Sequence, residues 1–129
     1  MATNDREKAA ARKEEREIGP ARAILRGLGM SARKVRVVAD LMRGSDVASA
    51  MTMLTHQPRA AAKPLKKLLE SAVANAADRQ MNVDNLVISQ VLVHKGAIGK
   101  RFMQRAQGRA TPIRKQSSHI ELSVTEEVI

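Results

Sequence analysis

The sequence predicts an α+β domain, and three observations carry that prediction. Apolar residues recur at helical spacing in three consecutive segments between Ser31 and Asp78, while residues 21–28, 86–93 and 119–125 alternate or run as strands do. Between the last two strands, from Asp84 to Glu121, there is no acidic residue, whereas Lys95, Lys100, Arg101, Arg105, Arg109, Arg114 and Lys115 are spread among Gly96, Gly99, Gly108 and Pro112. Such a stretch has too little apolar surface to fold alone and is ordered by a partner, most simply a polyanion.

Residues 1–19 mix charge and alanine with no apolar face, as a frayed solvated helix or a tail would. They form a charged extension ahead of a single domain spanning residues 20–129. Pro20 marks the change of pattern. Residues 21–28 then read as a strand with Ile24 and Leu28 on one face, Leu25 on the other, and Arg22 and Arg26 interleaved.

Ser31 stands where a helix cap belongs, Val35, Val38 and Met42 recur at helical spacing beside Leu41, and Gly44 stands at the expected end. Arg33, Lys34, Arg36 and Arg43 occupy the wetter sides of that helix. Asp46 opens a second helix with the stripe Val47, Ala50, Met51 and Leu54, which Pro58 ends. Leu65, Leu68, Leu69, Ala72, Val73 and Ala76 form the clearest helical stripe, with Pro64 tolerated only in the first turn.

Residues 86–93 are apolar at both parities, with Leu86, Ile88 and Leu92 on one face and Val87, Val91 and Val93 on the other, as in a strand buried on both sides. Ile120, Leu122 and Val124 alternate with His119, Glu121, Ser123 and Thr125, as in a half-buried strand. Paired antiparallel, these two strands turn residues 94–117 into a hairpin. Each limb has about ten residues beyond the core and reaches about 30 Å at roughly 3.3 Å per residue. An isolated ribbon of that length is marginal in water and needs outside support.

A chain of 129 residues builds one modest core. Its net charge of +10 exceeds what solubility requires and points to nucleic acid or another anionic surface. Phe102 is the sole aromatic residue, so base stacking on a row of aromatics is excluded and recognition runs through phosphates, sugars and shape. With no cysteine there is no disulfide, thiolate zinc site or cysteine nucleophile. No apolar run is long enough to span a membrane and the N-terminus lacks a signal-peptide core, so a cytoplasmic location is expected.

Catalysis finds little footing. His56, His94 and His119 have no carboxylate motif at ligand spacing, although His94 and His119 can face each other across the ribbon. The glycines match neither phosphate-binding loop pattern, and no serine has a base and an orienting acid at a recognisable spacing. No cofactor, metal or small-molecule substrate is implied.

Binding is better supplied. Arg22 and Arg26, then Arg33, Lys34 and Arg36, then the run from Lys100 to Lys115 can converge on one anionic surface. Arginine forks take two phosphate oxygens at once. Charge alone does not separate RNA from DNA. A DNA-compacting protein is therefore a competing reading, disfavoured because architectural DNA binders generally use paired arms in a dimer.

Residues 31–44 (SARKVRVVADLMRG), 69–76 (LESAVANA), 105–110 (RAQGRA) and 118–120 (SHI) closely resemble the bacterial ribosomal protein L-twenty-two family of the large subunit, in order, over residues 21–124. Gln104 stands where the family often has proline, and Gln107 where it often has a basic residue. The resemblance implies three helices packed on a small three-stranded antiparallel sheet with a long protruding β-hairpin. It implies a structural role in binding large-subunit ribosomal RNA beside neighbouring large-subunit proteins, and support of early subunit assembly. The hairpin tip, here Phe102, Met103, Gln104, Arg105, Ala106, Gln107, Gly108, Arg109 and Ala110, would line the exit tunnel and meet the nascent peptide transiently. Contacts to RNA are expected from the basic residues named above together with Ser31, Lys95, Ser118 and His119.

Overall fold

The computed structural model describes residues 2–127; Met1, Val128 and Ile129, which fall within the expected extension and domain limits, lie outside it. In chain order the elements are α1 (Ala2–Ile18), β1 (Ala21–Leu28), α2 (Ala32–Met42), α3 (Val47–His56), α4 (Ala62–Asp78), β2 (Leu86–Gln104) and β3 (Ala110–Glu126). Short 3₁₀ turns at Val83–Asn85 and Ala106–Gly108 precede β2 and join β2 to β3. The strands form one antiparallel sheet in the order β1-β3-β2. The α+β class, the three-stranded sheet and the long hairpin are as the sequence predicts, with α1 as a fourth helix.

The core forms between one face of the sheet and α2, α3 and α4. Val35, Val38, Ala39 and Met42 from α2, Ala50 and Leu54 from α3, and Leu65, Leu69, Ala72 and Ala76 from α4 meet Ile120, Leu122 and Val124 from β3. The small Ala72 and Ala76 let α4 lie close on β1. There the Asn75 amide Nδ2 donates to the Arg22 carbonyl at 2.8 Å, occupying an acceptor on that edge strand. Pro64 sits in the first turn of α4, where its missing N–H costs nothing.

On its outer edge, β2 is covered by the α2–α3 connection. The N–H of Gly44 donates to the Ile88 carbonyl, the N–H of Ile88 donates to the Ser45 carbonyl, and Asp46 bridges to Val87. Gly44 makes this turn with φ of +70°, a conformation that suits glycine. Near the end of the body, Arg36 Nη2 donates to the Val93 carbonyl at 2.9 Å. A sheet edge open to unwanted pairing is thus closed along the body.

Three register shifts alter the expected faces. Ile88 pairs with Val124 and Gln90 with Ser123, so β2 carries one extra residue at Ser89, whose hydroxyl donates to the Ser123 carbonyl at 3.0 Å. The extra residue reverses the alternation. Leu86, Ile88, Val91 and Val93 therefore all face the core, while Leu92 is exposed. The strand is buried on one side, not on both.

The same effect corrects β1. A shift between Leu25 and Leu28 places Leu28 with Leu25 against the core and leaves Ile24 on the solvent side of the sheet. Gly27, at φ of +70°, takes the backbone turn there. The third shift lies between Lys95 and Ile98 on β2, so both outer strands change register opposite residues 116–120 of β3.

Both helix caps depart from expectation in detail. Ser31 and Asp46 hold the extended backbone of N-cap residues, yet neither side chain bonds to its own helix. The Ser31 hydroxyl instead donates to Gln116 Oε1 at 2.9 Å, joining the start of α2 to the root of the hairpin.

Candidate nucleic-acid interface

Beyond the body the hairpin is a two-stranded ribbon. Ile98 pairs with Gln116, Lys100 with Arg114, Phe102 with Pro112 and Gln104 with Ala110. No side chain from Lys95 to Ser117 is buried. Its tip closes through the Arg105 N–H donating to the Arg109 carbonyl at 2.8 Å, with Gln107 and Gly108 both at positive φ. Phe102 at the tip is 72% exposed, so the chain's single aromatic ring contributes nothing to the core.

The ribbon's charges face both ways. Alternation puts Lys100 and Arg114, directly opposed across the strands, on one face, and Arg101 and Lys115 on the other. Like charges opposed across a ladder are destabilising without a counter-charge. An anion lying against one face alone would leave the other uncompensated, so the charge distribution suits an arm enclosed by its partner.

At its root the ribbon forms one wall of an open cleft of about 1370 Å³, opposite the first turns of α2. Arg33, Lys34 and Arg36 approach from α2, Lys95, Arg114 and Lys115 from the hairpin, and Arg59 from the α3–α4 connection. No acidic residue lines it. Among the described residues the recorded ion pair is Arg43 with Asp40, outside the cleft, so its cations have no carboxylate partner there.

The expected convergence is therefore partial. The α2 cations meet those at the hairpin root, while Lys100, Arg101, Arg105 and Arg109 lie farther out on the ribbon or its tip. Arg22 and Arg26 are exposed on β1, outside the cleft. Arg36 lines the cleft but spends part of its guanidinium on the Val93 carbonyl. In the sequence Arg59 stands alone after Pro58, without a neighbouring cation to mark it, and only the turn between α3 and α4 brings it near the hairpin.

Of the expected contact residues, Ser118 needs correction and His119 is partly engaged within the fold. Ser118 is wholly buried between the register shifts of β1 and β2, so its hydroxyl does not reach a partner at the surface. The alternation was the available signal, since Ser118 shares parity with the core residue Ile120. His119 is partly exposed, but its Nδ1 accepts the Gly27 N–H at 3.0 Å, leaving Nε2 as its other polar atom. It stands opposite His94, as the ribbon pairing suggested.

Residues 23–125 match the family model described as Ribosomal protein L22p/L17e. The chain belongs to that family. Of the curated family members, the Large ribosomal subunit protein uL22 of Myxococcus xanthus is 48% identical over 107 residues, covering 81% of this chain and 94% of that protein. The protein of the same name from Oceanobacillus iheyensis is 47% identical over 107 residues, covering 82% and 95%. The match to the family model starts after α1. Five basic and five acidic residues cancel within α1, so the whole +10 resides on the remainder of the chain.

Proposed function

We propose that this chain is a structural constituent of the large ribosomal subunit that holds large-subunit ribosomal RNA through its cationic cleft and along its acid-free hairpin. One observation carries the reading: a ribbon with cations on both faces and no buried side chain leaves the body beside a root cleft that adds Arg33, Lys34, Arg36 and Arg59 to the ribbon's own Lys95, Arg114 and Lys115 and is lined by no acid. Phosphates on either side neutralise the ribbon and convert a self-repelling hairpin into an ordered one. The curated relatives are named as large-subunit proteins, which agrees with this reading.

The role is architectural: the protein binds and orders RNA during subunit assembly, in the cytoplasm, beside other large-subunit proteins. On this reading the loop from Gln104 to Ala110, with Phe102 and Met103 below it, reaches the exit tunnel and meets the nascent peptide in passing. Fractionating a lysate on a sucrose gradient and identifying proteins by mass spectrometry tests the assignment. The chain is expected to travel with large subunits; sedimentation with the nucleoid would favour DNA compaction and overturn it.

A further inference from the structure

We infer that the cleft at the hairpin root is a preassembled RNA-backbone site that captures ribosomal RNA before the distal arm is ordered, and that Arg59 is one of its phosphate ligands. The inference deepens the RNA-binding reading above and rests on it.

The cleft's frame exists without RNA. One wall is α2, anchored in the core by Val35, Val38 and Met42. The Ser31–Gln116 hydrogen bond ties the start of that helix to the hairpin root, and Arg36 is held to the Val93 carbonyl. Arg59 extends from a connection fixed at both ends by the core residues Leu54 and Ala61. A site framed in advance avoids much of the ordering cost that binding otherwise carries.

The distal ribbon is the opposite case. Beyond Lys100 it has two strands only and no buried side chain, and Arg101, Arg105 and Arg109 have no recorded carboxylate partner among the described residues. Its order depends on anions arranged around it, which a partly folded RNA supplies only later. Capture at the cleft followed by enclosure of the arm is the sequence of events that these two stabilities favour.

Cleft chemistry selects the ligand class. No aromatic side chain lines it, so it has no stacking platform for a base, and no carboxylate lines it to accept from a base amino group. Arg33, Arg59 and Arg114 offer planar forks suited to phosphate oxygens. A nucleic-acid backbone fits this set better than a free nucleotide does.

The test uses the full chain and protein-free large-subunit ribosomal RNA, with binding measured over a salt series. Two triple variants remove equal charge: Arg33→Gln/Arg59→Gln/Arg114→Gln in the cleft, and Arg101→Gln/Arg105→Gln/Arg109→Gln in the distal arm. The cleft variant is expected to flatten the log–log salt slope by about 2 to 3, at roughly 0.7 to 0.9 per phosphate contact, and to bind at least tenfold more weakly. The distal variant is expected to keep most of the slope and affinity.

Equal losses, or a larger loss in the distal variant, overturn capture at the cleft while leaving RNA binding intact. Absence of salt-dependent binding by the unmodified chain overturns the RNA reading itself, and equal binding of duplex DNA overturns the choice of RNA. As all six substituted side chains are exposed, unchanged thermal transitions are expected and confirm that folding is not being read. A single Arg59→Glu variant isolates the new ligand: weaker binding than Arg59→Gln supports its assignment, and affinity equal to the unmodified chain removes it.

Discussion

The N–H of Gly27 donates to the imidazole Nδ1 of His119 across 3.0 Å, joining a register shift in an edge strand to the middle strand of the sheet. Replacing His119 by Ala removes the acceptor and is expected to lower unfolding stability by about 1 kcal/mol. His119→Asn, whose amide oxygen can stand near Nδ1, is expected to retain part of it. Urea titration distinguishes the two, and equal midpoints for Ala and the unmodified chain would show that the bond adds no net stability.

Gly96 stands where a Cβ would fall 2.5 Å from Ser117 Oγ and 3.2 Å from the His119 ring. The Ser117 hydroxyl already donates to the Ala97 carbonyl at 2.6 Å and cannot swing away without losing that bond. Gly96→Ala is expected to cost about 1 to 3 kcal/mol as overpacking. Adding Ser117→Ala should restore some of it in a thermal melt, because the closest clash is gone; a double variant no more stable than the single one would locate the strain elsewhere.

Arg36 closes the edge of β2 by donating to Val93. Arg36→Ala is expected to reduce stability by about 1 kcal/mol, whereas its exposed neighbour Lys34→Ala should leave the unfolding midpoint nearly unchanged. Equal midpoints for both variants would assign Arg36 to the binding surface alone.

Ser118 carries a buried hydroxyl with no hydrogen-bond partner among the described residues. Ser118→Ala removes a polar group that is desolvated without compensation, and stability is expected to hold or rise by up to about 1 kcal/mol. RNA affinity should not change. A marked loss of stability in denaturant titration would reveal a partner for that oxygen.

Much of this architecture is legible from residue spacing because helical stripes depend on local periodicity. Leu65, Leu68, Leu69, Ala72 and Ala76 all enter the core as their spacing indicates. Strand faces are less legible, since one inserted residue reverses every side chain after it and carries no marker at Ser89. The cationic arm was legible from its missing acids. Its root cleft was not, because Arg59 and Lys95 are distant in sequence and meet only through the placement of α3, α4 and β2.

The hairpin's strands are unequal, β2 with 19 residues and β3 with 17, and the two register shifts on β2 absorb the difference. Length along the arm is therefore counted in matched rungs above the shift nearest the tip. Deleting one residue from a single limb would break the pairing of Phe102 with Pro112; deleting one from each would turn the tip to face backwards. The arm behaves as a toothed gauge that keeps its aim only when shortened or extended two rungs at a time, or about 7 Å per step.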